Sequence, residues 1–214
     1  MLGVSLLSGG KDSFLSTLLG MEQGIDVIRC VTVIPETDSM MFHVPNIHIA
    51  GNVASLLDLE TEFVPETDYE EKLLELARSG VEAIVCGAIA SEFQKTRIEK
   101  ICTEAGMVCF APLWMKDQRT VIEEIISSGI RAIIVSVSAE GLGEELLGRV
   151  IDENLLAHLV KVHEKNRINI TGEGGEYESL VTGIDFRERI KIREYQKIWN
   201  GSTGYLKIES VEMR

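Results

Sequence analysis

At 214 residues the chain can form one large domain or two small ones, and can bury a core that needs no disulfide or metal staple. Its composition, 45% hydrophobic and 26% charged, is ordinary for a globular protein. Twenty-one Lys+Arg against thirty-four Asp+Glu leave a net charge of −13, which argues against a broad nucleic-acid face or an anionic membrane surface but not against one nucleotide pocket.

Residues 2–7 form a short apolar run that predicts a strand. Ser8-Gly9-Gly10 ends it, and the spacing of Leu15, Leu18 and Leu19 predicts a helix. Residues 27–34, apolar and β-branched up to Pro35, predict a second strand, and residues 63–65 close a third. Thr67 and Glu70 have the spacing of a capping box, and Tyr69, Leu73, Leu76 and Ala77 predict a helix that Gly80 ends. Residues 83–86 read as a fourth strand, ending at Gly87. Ser91 and Gln94 make a second capping box before Ile98, Ile101, Cys102 and Ala105, and residues 108–111 make a fifth strand. Strands alternating with helices imply a mainly parallel sheet with helices on both faces, whose ligands bind beyond the carboxyl ends of the strands. Residues 8–13, 35–43 and 87–94 fall at such ends.

After Pro112-Leu113-Trp114 the pattern changes. Thr120 and Glu123 are expected to cap a helix with Ile122, Ile125 and Ile126 inward. Residues 131–138 read as a strand, residues 141–148 as a glycine-punctuated connection and residues 152–165 as a helix. Residues 168–170, 180–184 and 187–192 read as strands able to pair antiparallel, and residues 206–211 alternate. The expected organisation is an α/β domain over residues 1–117 followed by a smaller α+β domain over residues 118–214.

Few side-chain constellations suggest chemistry. Cys30, Cys86, Cys102 and Cys109 include no C-x-x-C and read as buried thiols of a reducing cytoplasm. His43, His48, His158 and His163 give no H-E-x-x-H pattern. No apolar run approaches the ~20 residues of a membrane span, and the N-terminus has no signal-peptide pattern, so a cytoplasmic location is expected. The sequence leaves a homo-oligomer open.

The informative segment is Ser8-Gly9-Gly10-Lys11-Asp12-Ser13, between a strand and a helix. Two glycines let backbone approach an anion, and a helix N-terminus presents N–H groups and partial positive charge. Ser8 and Ser13 add hydroxyls and Lys11 a cation. A Walker loop would need Gly at residue 5 and Ser or Thr at residue 12, where Ser5 and Asp12 stand, and the adjacent glycines do not fit G-x-G-x-x-G. S-G-G-x-D-S instead resembles the pyrophosphatase loop of the N-type ATP pyrophosphatases, the PP-loop superfamily, which cleave ATP between its α and β phosphates.

Further segments resemble one branch of that superfamily, the diphthine–ammonia ligases. Met41-Phe42-His43-Val44-Pro45-Asn46 is similar to that family's M-F-H-x-P-N. Gly87-Ala88-Ile89, with Gln94-Lys95-Thr96-Arg97-Ile98-Glu99, is similar to its G-x-I-x-S-x-x-Q-R-x-R-V-E. Pro112-Leu113-Trp114-Met115-Lys116-Asp117-Gln118 is similar to its P-L-W-x-x-D-Q, and Gly141-Leu142-Gly143 with Leu147-Gly148-Arg149 to its G-L-G-x-x-x-L-G-R. Gly172-Glu173-Gly174-Gly175-Glu176-Tyr177-Glu178-Ser179 is similar to its most distinctive motif, G-E-G-G-E-Y-E-[ST]. Lys95 departs from the family's usual Arg, and the chain, without the long C-terminal extension of eukaryotic relatives, resembles the short, archaeal type.

The resemblance implies an adenine nucleotide alpha hydrolase-like fold and ATP-dependent amidation of diphthine on elongation factor 2. Ammonium would be the nitrogen source, an acyl-adenylate the intermediate, and diphthamide, AMP and pyrophosphate the products. Ser8, Gly9, Gly10, Lys11, Asp12, Ser13 and Gly87 would then hold ATP, with Mg²⁺ placed by Asp12. Lys11, Asp12 and Arg97 are the expected catalytic residues. Gln94, Glu173, Glu176, Tyr177 and Glu178 are expected to bind the substrate, whose trimethylammonium suits carboxylates beside an aromatic ring. No direct nucleic-acid or membrane partner is expected. Two other readings stay open: a PP-loop enzyme of RNA modification or sulfur transfer, against which the acidic charge and unpaired cysteines weigh, and a regulatory protein that binds ATP without turnover.

Overall fold

The computed structural model describes residues 1–36 and 46–214, with Gln94 described by its backbone alone. The chain forms two compact units, Met1–Met115 and Lys116–Arg214.

The first unit alternates strand and helix: β1 (Leu2–Leu6), α1 (Lys11–Glu22), β2 (Asp26–Ile34), the short α2 (Ala50–Ala54), β3 (Thr61–Pro65), α3 (Tyr69–Arg78), β4 (Ala83–Val85), α4 (Glu92–Ala105) and β5 (Val108–Phe110). The five strands make one sheet in the order β3-β2-β1-β4-β5, every pair parallel. Parallel strands need crossovers, and those crossovers cover both faces. On one face Val4 and Leu6 of β1, Val31 and Val33 of β2 and Ile84 of β4 join Tyr69, Leu73 and Leu76 of α3 with Ile98 and Ile101 of α4. On the other, Ala83, Val85, Val27 and Ile25 form a smaller cluster, and Gly20 of α1 lies against Val85.

The register explains how β2 serves both clusters. Gly3 pairs with Val27 but Val4 with Arg29, so Ile28 is an extra residue that shifts the strand's alternation by one. Val27 therefore turns to the α1 face, while Val31 and Val33 turn to the α3–α4 face.

The second unit holds α5 (Gln118–Ser127), β6 (Arg131–Val137), α6 (Glu153–Asn166), β7 (Tyr177–Ile184), β8 (Arg187–Glu188), β9 (Ile190–Trp199) and β10 (Gly204–Met213). Its sheet is antiparallel, in the order β8-β7-β6-β10-β9. Gly204 and Tyr205 of β10 cover only the end of β6, and residues 148–151 bond to its middle through Gly148, Ile134 and Ala132. The apolar stripes of the helices, Val121, Ile122 and Ile125 of α5 and Leu155, Leu156, Leu159 and Val162 of α6, are buried.

Several local expectations are corrected. Asp68, not Thr67, precedes α3, and its side chain makes no cap bond; the Thr67 hydroxyl donates to the Asp68 carboxylate at 2.8 Å. The Thr120–Glu123 box is displaced by a stronger cap: α5 starts at Gln118, and Asp117 accepts from the Thr120 amide at 3.0 Å and hydroxyl at 3.1 Å. Those bonds hold the Asp117 carboxyl below the usual carboxylate range. Residues 168–170 are not a strand, because side chains take their backbone groups. Asn169 N–H donates to Glu176, Ile170 N–H to Gln118, and the Ile168 and Ile170 carbonyls accept from His163 and Tyr177. On α1, Phe14 and Leu15 are fully buried while Leu18 and Leu19 are only half-buried. All four cysteines are free thiols.

The parallel sheet rests on its α3 contact, so Leu73→Ala, at a fully buried position, is expected to lower unfolding free energy by about 3 kcal/mol in urea titration.

Candidate functional site

The sheet order reverses at β1: β2 and β3 lie on one side, β4 and β5 on the other. Open α/β sheets bind ligands in the crevice this reversal makes at the carboxyl ends. The loop after β1 and the loop after β4 flank it.

Leu7 to Gly10 turn the chain from β1 into α1. Gly9 has φ +87, in the left-handed region that a side chain would strain. The two serine hydroxyls then close the loop on itself. Ser13 Oγ donates to the Gly10 carbonyl at 3.1 Å and accepts from the Ser8 amide at 3.2 Å. Having one proton, Ser13 must also accept from Ser8 Oγ at 3.1 Å, which leaves Ser8 Oγ to accept from the Gly10 amide at 3.4 Å. Ser8 and Ser13 thus shape the loop rather than simply pointing hydroxyls outward.

Three residues beneath the loop carried no signal in the sequence. Thr32 of β2, fully buried, donates from Oγ1 to the Leu7 carbonyl at 2.6 Å, while the Leu7 amide bonds to Val31 O at 3.0 Å. Both backbone groups of the residue before Ser8 are therefore tied to β2. Thr17 donates to the Ser13 carbonyl at 2.7 Å, so its 2.7 Å bond with Ser5 must be donated by Ser5. Each partner is far along the chain or masked by its helix, so spacing could not reveal it.

Lys11 and Asp12 open α1. Lys11 is only 3% exposed and its Nζ lies 2.7 Å from Asp12 Oδ2, with Asp12 at 23%. A buried ammonium needs such a partner. Gly87, just past β4, touches this turn directly: a Cβ there would sit 2.7 Å from the Ser13 amide nitrogen and 2.8 Å from its Cα. The absent side chain makes room for protein backbone.

Arg97 of α4 is placed on the seam with α3. Its Nε donates to Glu70 Oε1 at 2.7 Å, and its guanidinium lies 5.4 Å from the centre of the Tyr69 ring. Burial pushes the Tyr69 phenol up to about 12, although Arg97 pulls it down. Lys95, at the family's arginine position, pairs with Glu99 and sits 4.8 Å from the Trp114 ring, which itself packs on the core. Gln94 lies in the first turn of α4, its side chain outside the described residues, as are Met41, Phe42, His43, Val44 and Pro45.

In the second unit the glycine- and glutamate-rich segment is a braced turn before β7. Gly172 and Gly175 take φ +77 and +82, and the Gly175 amide bonds to Gly172 O. Tyr177 is 2% exposed; its hydroxyl donates to Ile170 O at 2.8 Å, and its ring lies beside Gly172, where a Cβ would meet it at 3.0 Å. The structure thus places Tyr177 inside, as an anchor. Glu176 accepts from Asn169 N through Oε1 at 2.7 Å, while Glu173 and Glu178 are half-buried. Gly141 and Gly148 serve turns: both have positive φ, and a Cβ at Gly141 would meet Asn166 of α6 at 2.9 Å. Among the described residues no group of three or more His, Cys, Asp or Glu could hold a metal ion. No described helix is long and apolar enough to cross a membrane.

Comparison with known proteins bears on both units. The family model described as the diphthamide synthase N-terminal domain matches residues 1–109, and that of the diphthamide synthase C-terminal domain matches residues 117–213. A diphthine–ammonia ligase of Schizosaccharomyces pombe is 29% identical over 97% of this chain, which spans 39% of that protein's length. One from Danio rerio is 31% identical over 88% of this chain and 85% of its own length. Among solved structures, a predicted subunit of tRNA methyltransferase from Methanocaldococcus jannaschii shares 16% identity at TM-score 0.45, over 88% of this chain and 99% of that one.

Two substitutions probe the loop. Thr32→Val leaves the Leu7 carbonyl buried without its partner; stability should fall by about 1–2 kcal/mol, while Thr32→Ser should restore it, read by calorimetry. Gly87→Ala should displace the start of α1 and lower the unfolding free energy by about 1–3 kcal/mol, the strain expected of overpacking, read by urea titration.

Proposed function

The chain belongs to the diphthamide synthase family, and on that premise we propose that it is a diphthine–ammonia ligase that forms AMP. ATP binding falls to the N-terminal unit and recognition of the modified side chain to the C-terminal one. The observation that carries the reading is the loop of residues 8–13, braced by its own serines, with a buried Lys11 paired to Asp12 at the reversal point of a parallel sheet.

The chemical problem is that a carboxylate is a poor acyl electrophile. The diphthine carboxylate, on elongation factor 2, attacks the α phosphorus of ATP and pyrophosphate leaves. Ammonia, from free ammonium, then attacks the acyl carbon of the adenylate; AMP leaves and a proton is released, giving diphthamide. No enzyme nucleophile is required. The backbone of residues 8–13 and the N-terminus of α1 bind the departing pyrophosphate, and Lys11 offsets its charge. Asp12 would help to hold a Mg²⁺ ion, which would supply further positive charge. Gly87 keeps the β4 loop close against this turn.

Arg97 is assigned to charge developing on the α phosphoryl group. Glu70 and Tyr69 hold its guanidinium in place. Gln94, one turn earlier on the same helix, is assigned to the substrate. In the second unit Glu173 and Glu178 are the charge partners of the trimethylammonium, and Glu176 and Tyr177 hold their loop in shape.

Purified protein is incubated with ATP, Mg²⁺, ammonium and diphthine-bearing elongation factor 2, following AMP together with the mass of the modified histidine. Factor-dependent AMP with conversion of carboxylate to amide is the expected result. AMP without amidation would point to another PP-loop substrate, and bound ATP with no AMP to a regulatory protein. Lys11→Ala is expected to lower kcat by about 10²- to 10³-fold, the loss typical of removing one charge-stabilising group.

A further inference from the structure

β10 pairs with β6 only at Gly204 and Tyr205, and residues 148–151 take its place along the middle of β6. The Gly148 amide donates to Ile134 O at 2.8 Å, and the Ile134 amide donates to Arg149 O at 2.9 Å. The Arg149 amide donates to Leu146 O, also at 2.9 Å. Gly148 makes the turn that permits this, at φ +88. Both backbone groups of Arg149 are bonded, so its Cα is fixed beside β6.

Its guanidinium is not tied down in the same way. Arg149 is half-buried, yet its side chain makes no ion pair, hydrogen bond or ring contact with any of the described residues. The cations of the first unit differ: Lys11 Nζ lies 2.7 Å from Asp12, and Arg97 Nε lies 2.7 Å from Glu70. A guanidinium carries five N–H donors and no acceptor. Partly removed from water and given no internal partner, it suits an anion supplied from outside.

The register indicates which anion. Ile134 bonds to Arg149 on one side and pairs with Ser179 of β7 on the other. Ser179 closes the glycine- and glutamate-rich segment that carries Glu173 and Glu178. Two strand spacings, about 10 Å, separate the backbones of Arg149 and Ser179. One short stretch of the sheet therefore carries two carboxylates and an unpaired guanidinium. The diphthine side chain has the complementary pattern, a trimethylammonium beside the carboxylate that is amidated. Glu173 and Glu178 answer its positive charge and leave the negative one without a partner. The planar fork of an arginine meets a carboxylate through two parallel hydrogen bonds.

We infer that Arg149 binds the substrate carboxylate, next to the seat of the trimethylammonium. This identification rests on the ligase reading. Amidation replaces the carboxylate with a neutral amide, so the same arginine holds the product less tightly than the substrate.

The test is calorimetric titration of the full chain with elongation factor 2 in two forms, bearing diphthine and bearing its amide, beside the amidation assay. The parent protein is expected to bind the carboxylate form about tenfold or more tightly than the amide form. Arg149→Gln should erase that preference and raise KM for the diphthine-bearing factor by about tenfold or more, with KM for ATP unchanged. Arg149→Lys keeps the charge without the fork and should fall between the two; it serves alone if Arg149→Gln does not fold. The control is Arg189→Gln, at a half-buried arginine between β8 and β9 whose side chain also has no partner among the described residues. It should bind both forms within about twofold of the parent protein. Equal binding of the two forms by the parent, no binding of either, an equal loss in the control, or a loss of ATP affinity in place of the preference each overturns the inference. Amidation by the parent with a preference that survives Arg149→Gln removes Arg149 from the site and keeps the ligase. A preference that depends on Arg149 in a parent protein that does not amidate does the reverse.

Discussion

The arrangement at the carboxyl end of the parallel sheet depends on one close approach, the backbone of Gly87 against that of Asp12 and Ser13. It sets the distance between the exit of β4 and the start of α1, and so the width of the crevice where the sheet order reverses. Around it three hydroxyls are aimed at backbone carbonyls. Ser13 takes the Gly10 carbonyl, Thr17 the Ser13 carbonyl and Thr32 the Leu7 carbonyl. A loop held in this way can receive an anion with little rearrangement, which is the condition under which fixed dipoles stabilise charge most effectively. The Lys11–Asp12 pair is set on that frame, buried enough for its field to be poorly screened.

The fold was largely legible because its signals are local. Each strand and helix signal is read within a few residues, and the parallel sheet follows from their alternation. The serine- and glycine-rich loop was equally readable, since its residue types and spacing are contiguous. What the sequence withheld is non-local. Thr32 bonds to a carbonyl twenty-five positions away. Residues 168–170 have the composition of a strand but give their backbone groups to Gln118, His163, Glu176 and Tyr177. The burial of Tyr177 involves Gly172 and Ile170, which composition does not relate to it. At α5 two cap signals overlapped, and the aspartate nearer the true start prevailed.

Charge operates at two scales. The overall −13 excludes recognition by a diffuse positive field. Positive groups are instead placed singly by the fold, as with Lys11 inside the loop turn and Arg97 between Glu70 and Tyr69. Each has a defined neighbour that fixes where its charge points. Such placement gives direction rather than long-range attraction, which suits a small polyanion better than an extended polyanionic surface.

The extra residue at Ile28 has a consequence for how this strand can vary. A β-strand with one inserted residue is two half-strands out of phase, one ending at Val27 and the other beginning at Arg29. Hydrophobicity alone does not fix their lengths; counting does. Deleting one residue anywhere between Val27 and Val31 would merge the two phases and turn either Val27 or the Val31–Val33 pair away from its cluster, although every remaining side chain would still suit a strand. Variation in length should therefore be tolerated in the connections that flank β2 and resisted within it, so that the loop anchored by Thr32 keeps its place through changes elsewhere in the chain.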